Sequence, residues 1–180
     1  MRPGRAITLV VALTIVMTAV NAVPATGRTV LNLCTLISRA RIEDKIGTPL
    51  GTPHQLDNTP IAAGCHFPAS AIGGTDVGFY ASTNVPQGIK SSYGGSFFAT
   101  LDTFGHVYGT PTPVPGIGTT AYTAFTPGHL AQGALLVLQG ARRAVLIVLV
   151  GRYVTPHNTI TRGRALAQLM LETRQFRTSP

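Results

Sequence analysis

The stretch RTVLNLCTLIS, residues 28–38, decides how the rest of the chain is interpreted, because it places Cys34 shortly after an apolar N-terminal segment. This cysteine has three candidate roles: a lipid-modified residue, a metal-binding or catalytic thiol, or half of a disulfide. Lipidation requires a small residue just before the cysteine and an apolar run that ends directly beside it. Here Leu33 precedes Cys34, and about a dozen residues separate it from the run. The sequence therefore argues against lipidation at Cys34.

Residues 1–25 have the pattern of a signal peptide. Two arginines come first, an apolar run extends from Ala6 to about Val20, and small residues follow. Cleavage after Ala22 or after Ala25 fits this pattern. The alternative is a retained membrane anchor, since about 18 apolar residues lie at the lower edge of what spans a bilayer. Both interpretations predict a secreted protein or one on the extracytoplasmic face of the cell envelope.

Export makes a disulfide the simplest role for the two cysteines of the chain. In an oxidising compartment, two cysteines in a small domain are expected to pair, which joins Cys34 to Cys65. The alternatives are two unlinked buried thiols, or a zinc site, for which the chain offers no CxxC or HxxxH spacing. The bridge would close a loop of about 32 residues and stabilise the fold by roughly 3.5 to 4 kcal/mol. Residues 26–180 are then one disulfide-bonded domain.

Composition and charge indicate a folded domain with a basic C-terminal part. The chain is 44% hydrophobic and 11% charged, which argues against disorder, and its formal net charge is +8. Acidic and basic residues cancel between 26 and 104, so the excess positive charge lies beyond. Outside the cytoplasm it favours anionic lipid head groups, envelope polyanions or an envelope protein, with contact to the membrane, and nucleic acid is disfavoured by compartment. The alternative is that arginines on turns and on a helix only keep the protein soluble. The candidate contacts are Arg142, Arg143, Arg152, Arg162 and Arg164.

The N-terminal half of the domain predicts helices at its two ends with strands between them. LISRARIEDKIG indicates a helix with Ser38 as its N-cap and Gly47 at its end, and a Pro- and Gly-rich loop follows to residue 63. Strands are predicted near 64–67 and 76–82. A helix with Ser96 as its cap is predicted next, because the spacing of one helix face is shared by Phe97, Leu101, Phe104 and Tyr108.

The C-terminal half predicts an extended connector at 110–116, a strand in TTAYTAF, and a hairpin made by GALLVLQ and AVLIVLV. An amphipathic helix closes the chain, with Ile160, Leu166, Leu169 and Met170 along one face and Gly163 as its weak point. This order predicts an α+β fold: an antiparallel sheet of about five strands with an N-terminal, a middle and a C-terminal helix packed on it.

Chemistry-bearing residues form no recognisable motif, so no catalytic residue, metal or cofactor is predicted. The five histidines show no i, i+2 or i, i+4 spacing, and carboxylates are scarce. A small extracellular hydrolase is the alternative function, and it requires at least two residues of a candidate set to converge in a cleft. That set is Asp57, Asp76, Asp102, His66, His106 and Ser96.

The sequence also offers a candidate apolar pocket, for which core packing is the alternative. It consists of Phe97, Phe98, Leu101 and Phe104.

Several short motifs occur in a familiar order: CTLIS before a short helix, a second cysteine in GCHF, then VPGIGTTAY, LLVL, VLIVLV and RALAQLML. Together they resemble an actinobacterial, largely mycobacterial, family of secreted lipoproteins of unknown function, over about Cys34 to Thr173. The resemblance implies a PsbP/Mog1-like fold, a Cys34–Cys65 disulfide and a non-enzymatic, envelope-associated binding or accessory role. The chain departs from that family by lacking a lipid-modified cysteine after the signal, and by having Gly118-Thr119 where the family has Gly-Asp.

Overall fold

The computed structural model describes residues 32–58, 62–82, 101–140 and 143–173. Within these ranges the chain forms one antiparallel sheet of seven strands in the order β1-β2-β3-β7-β6-β5-β4, with four helices. The α+β class is confirmed, and the sheet has two more strands than expected. The helices are α1 (Leu33–Leu36), α2 (Arg39–Ile46), α3 (Leu101–Tyr108) and α4 (Pro156–Glu172). The strands are β1 (His54–Asn58), β2 (Ala62–Phe67), β3 (Asp76–Ser82), β4 (Thr112–Pro113), β5 (Thr120–Thr126), β6 (Ala131–Gln139) and β7 (Arg143–Gly151).

The two additional strands are the edges of the sheet. β1 lies inside the stretch expected to be a loop, and β4 lies inside the expected connector. Neither has the apolar alternation that predicts a strand, because an edge strand pairs on one side only and Leu56 is the single apolar residue of β1. β1 pairs with β2 through His54 and Gln55, after which its register shifts. β4 is two residues long and ends at Pro113, a residue that edge strands tolerate.

The central hairpin of β6 and β7 buries side chains on both faces of the sheet. On β7, Val145 and Ile147 belong to the larger core, which the apolar residues of α1, α2 and α4 complete. Leu146 and Val148 point to the opposite face and share a smaller core with Phe104 of α3. Two buried faces explain why the sequences of these strands are continuous apolar runs rather than alternating ones.

Helix α4 packs closely against β6. Leu166 and Met170 are fully buried, and Gly163, expected to be a weak point, is buried as well. A Cβ atom on Gly163 would lie 3.1 Å from Cβ of Leu135, so the missing side chain allows the helix to approach the sheet. Gly163 thus has a packing role in addition to the low helix propensity expected from the sequence.

The predicted disulfide is present and joins α1 to β2. Cys34 is bonded to Cys65 with 5.2 Å between their Cα atoms, and Cys65 is completely buried. Helix α2 follows α1 in the chain and ends as predicted at Gly47. This glycine has a left-handed φ of 72°, and its N–H donates to the Glu43 carbonyl. Ser38 occupies the N-cap position of α2 without a side-chain hydrogen bond. The bridge thus anchors the N-terminal helices to the sheet.

Candidate binding site

Three connections lie at the same end of the sheet. Asp76 pairs with Val150, and Ala131 pairs with Gly151, so the start of β3, the end of β7 and the start of β6 are neighbours. The β2–β3 connection (68–75), the β5–β6 connection (127–130) and the β7–α4 connection (152–155) therefore come together. We call this region the loop end.

All five histidines of the chain lie at or beside the loop end. They come from five different elements, which explains why no spacing in the sequence associates them. Only the antiparallel order of the sheet and the direction of the helices bring them to one end. They are His54 at the start of β1, His66 in β2, His106 in the last turn of α3, His129 between β5 and β6, and His157 in the first turn of α4.

A cleft of about 500 Å³ opens at the loop end between the β2–β3 and β5–β6 connections. Much of its wall is main chain and small side chains from residues 69–74, which leaves space for a ligand to approach the backbone. The larger side chains that line it are of mixed character: one carboxylate, one imidazole, one guanidinium and three aliphatic groups. They are Asp76, His129, Arg152, Ile72, Leu130 and Val150.

The Arg152–His129 pair is the most chemically informative contact of the cleft. Nη2 of Arg152 lies 3.3 Å from Nε2 of His129, and both side chains are exposed. A guanidinium has donors and no acceptor, so this contact requires an unprotonated Nε2 on His129. Protonating His129 would break the bond and place two cations side by side. An anion bound between them would stabilise both charges and accept charge-assisted hydrogen bonds from each.

A second polar pair, His66 and Asp76, lies on adjacent strands beside the cleft. Nε2 of His66 is 3.5 Å from Oδ2 of Asp76, whose Oδ1 accepts a 2.7 Å hydrogen bond from the Ala69 amide. Asp76 thus fixes the β2–β3 connection. Ser70, also in the cleft wall, donates its hydroxyl hydrogen to the Pro49 carbonyl at 3.1 Å.

Of the six hydrolase candidates, the structure therefore brings two together, His66 and Asp76. His106 lies on α3, which packs against β5 and β6. The side chains of Asp57 and Asp102 and the whole of Ser96 lie outside the described residues. No group of three or more histidine, cysteine, aspartate or glutamate side chains suited to a metal ion occurs in the described part of the chain.

Three apolar side chains project from the connections of the loop end into solvent. Ile72 is fully exposed, Tyr153 is 74% exposed and Leu130 is 60% exposed. Sequence analysis missed all three, because a single apolar residue in a turn carries no periodic signal. An isoleucine between small residues and two glycines, as in SAIGG, is the local pattern that would have marked Ile72.

The predicted basic surface does not form as one patch. Arg152 belongs to the cleft, whereas Arg143 lies at the opposite end of β7. Arg164, on α4, donates from Nη2 to the Pro115 carbonyl at 2.8 Å, and Arg162 is half-buried on the same helix. Arg142 lies outside the described residues.

The predicted apolar pocket is described only in part. Phe97 and Phe98 lie outside the described residues, and so does the side chain of Leu101. Phe104 is fully buried and packs against Tyr108 with ring centroids 5.4 Å apart, so these two rings belong to the core.

A second groove, of about 480 Å³, separates α2 from α4. Its charged groups face one another: Nζ of Lys45 donates to Oδ2 of Asp44 at 2.8 Å, and this hydrogen bond, with the charge of Lys45, lowers the pKa of Asp44. Arg41 and Glu172 also line the groove. Because its cations and carboxylates occur together, the groove has no preference for a ligand of either sign.

Comparison with known proteins adds no assignment: no family model, no curated protein and no solved structure matches the chain. The resemblance to the actinobacterial lipoproteins therefore stays a prediction. No helix within the described ranges is long and apolar enough to cross a bilayer. The disulfide is compatible with a location outside the cytoplasm.

Proposed function

We propose that the chain is a non-enzymatic binding or accessory domain of the cell envelope, exported and held by its disulfide, that binds an anionic, amphipathic envelope component through the loop end. The observation that carries the proposal is the Arg152–His129 contact in a cleft that is also lined by three aliphatic side chains. Binding sites of this kind combine an apolar surface with a few polar groups that fix the ligand's orientation.

The chemistry of the cleft suits a phosphate or carboxylate head group joined to an apolar chain. The guanidinium of Arg152 is always charged and presents donors in a planar fork, which matches two oxygens of one anion. His129 supplies a second donor once it is protonated. Leu130 and Val150 line the same cleft and offer aliphatic surface for the apolar part of the ligand.

The compartment is supported by two independent features of the chain. Residues 1–25 have the pattern of a signal peptide. The Cys34–Cys65 bridge is of a kind that persists in oxidising environments and is rare in the cytosol. The resemblance to secreted lipoproteins points to the same place, and it implies no catalytic residues.

The proposal is tested with a soluble anionic amphiphile, lysophosphatidylglycerol below its micelle concentration. In NMR spectra of the ¹⁵N-labelled exported chain, we expect shifts confined to amides of 69–74, 128–130 and 150–153. Arg152→Gln should weaken binding about ten- to hundredfold, because a hydrogen bond to a charged group is worth about 1.5 to 3 kcal/mol.

Arg143→Gln is the matched control, since it removes the same charge from the other end of β7. It should leave the affinity within about twofold. Lysophosphatidylcholine, which has the same chain and no net charge, should bind more weakly than lysophosphatidylglycerol. Absence of shifts at the loop end, or an equal loss in the two arginine variants, would contradict the proposal.

A small extracellular hydrolase remains the second candidate, because His66 and Asp76 do meet at the edge of the cleft. In that case His66 would act as a general base oriented by Asp76. Hydrolysis of p-nitrophenyl acetate faster than by an equal concentration of imidazole, and lost in His66→Ala, would support this reading. A rate no higher than that of imidazole, or a rate unchanged in His66→Ala, would exclude it for simple esters.

A further inference from the structure

We infer that the partner of the loop end is the surface of an anionic lipid bilayer, into whose head-group region Ile72, Leu130 and Tyr153 insert. This inference rests on the proposed function and goes beyond it, since an isolated amphiphile needs only the cleft. A bilayer would also contact the three exposed apolar side chains that project from the loop end. Their exposure is the first observation that favours a membrane.

The three side chains come from three different connections and share one end of the molecule. Ile72 and Leu130 line the same cleft, and Tyr153 follows Arg152, which lines it as well. Single exposed apolar residues are ordinary, but a group of them rimmed by polar residues marks an interaction surface. Tyrosine suits a membrane interface because its ring is apolar and its hydroxyl can stay in water.

The backbone that carries these side chains is held in place before any partner binds. In the β2–β3 connection, the Gly74 amide donates to the Ala71 carbonyl at 3.0 Å, and Gly73 adopts a φ of 81°. The Tyr153 carbonyl accepts a 2.6 Å hydrogen bond from the side-chain amide of Asn158. Fixed loops lose little conformational entropy on binding, so more of the burial energy contributes to affinity.

The charge of the loop end complements anionic lipid. Arg152, which lines the cleft, is a permanent cation. Two carboxylates lie nearby within the described residues: Asp76 faces His66, and Glu43 accepts from the Leu50 amide and lies 3.5 Å from Arg39. Within the described residues no salt bridge joins Arg152 to either carboxylate, so its charge is available to a lipid phosphate.

A bilayer fits these features better than a protein does. The apolar side chains stand on separate connections around the cleft and do not share the face of one helix or strand. Projecting apolar tips beside cations are the arrangement that peripheral contact with anionic membranes uses, where buried apolar area and electrostatic attraction add. A membrane also tolerates tips of differing height, because lipids rearrange around them.

The experiment measures binding of the exported chain to vesicles of phosphatidylcholine with and without phosphatidylglycerol. We expect binding to the anionic vesicles only. Ile72→Ser combined with Tyr153→Ser should lower the partition coefficient about ten- to hundredfold. Leu56→Ser is the matched control, because Leu56 is 46% exposed on β1, away from the three connections. Circular dichroism establishes that each variant is folded.

Insertion itself has a direct spectroscopic signature, because the chain contains no tryptophan. A Tyr153→Trp variant should show a blue-shifted emission on addition of anionic vesicles, whereas Leu56→Trp should not. Two results would overturn insertion by the loop end. One is an equal emission shift in Tyr153→Trp and Leu56→Trp, and the other is no shift in Tyr153→Trp under conditions in which the protein sediments with the vesicles.

Failure of this inference and failure of the proposed function give different results. Monomeric lysophosphatidylglycerol that binds at the cleft while vesicles do not bind leaves the proposed function intact and overturns the membrane inference. Absence of both kinds of binding overturns both. An envelope protein that cross-links at position 153 while vesicles do not bind would assign the loop end to a protein partner, which also overturns the inference.

Discussion

Replacing Cys34 and Cys65 together by alanine is expected to lower the free energy of unfolding by about 3.5 to 4 kcal/mol. The bond links residues 31 positions apart, and its removal restores the entropy of that loop to the unfolded chain. A loss of this size is a large part of the 5 to 15 kcal/mol that stabilises a typical domain. Urea denaturation of the oxidised protein and of the double variant, followed by circular dichroism, measures the difference.

Reduction provides the control for this result. A reductant should destabilise the wild-type protein toward the stability of the double variant and leave the double variant unchanged. Because Cys65 is fully buried in the larger core, part of the loss will come from packing rather than from chain entropy. A loss below about 1 kcal/mol would show that the bridge contributes little beyond the core around it.

Replacing Phe79 by alanine is expected to destabilise the domain by about 3 to 5 kcal/mol. Phe79 is 1% exposed on β3, between β2 and β7, and its ring meets that of Phe67 edge to face with centroids 5.8 Å apart. Truncation removes this contact and leaves a cavity that the rigid sheet cannot close. Thermal and urea denaturation check the prediction.

Two further variants make the Phe79 result specific. Phe125 on β5 is only partly buried, so Phe125→Ala should cost clearly less than Phe79→Ala. A double-mutant cycle with Phe67→Ala should return a coupling energy of about 0.5 to 1.5 kcal/mol for the aromatic pair. If Phe79→Ala were no worse than Phe125→Ala, β3 would not be at the centre of the core.

Elements with a strong local pattern were predictable from the sequence. The apolar runs of β6 and β7 indicate strands that are buried on both faces, and the spacing of Leu166 and Met170 indicates the buried face of helix α4. In each case the local residue pattern is enough to predict the burial of the element. β1 was not predictable, because its polar residues become a strand only through pairing with β2. The pairing of Cys34 with Cys65 followed from the presence of two cysteines behind a predicted export signal.

The candidate site was far less accessible to sequence reasoning. Arg152 was identified as one of five basic residues, and nothing in the chain indicated that His129, 23 positions earlier, is its partner. The contact exists because β6 and β7 are antiparallel, which returns the chain to the same end of the sheet. Sites built from several connections are fixed by topology, and a single sequence reports topology only indirectly.

Both outer strands of the sheet are poor templates for adding another strand. β4 is two residues long and ends at Pro113, and β1 shifts its register between Gln55 and Asn58. A domain concentrated on a two-dimensional lipid surface meets other copies far more often than one free in solution. Because neither β1 nor β4 is a good template for strand pairing, crowding on such a surface is not expected to cause edge-to-edge aggregation.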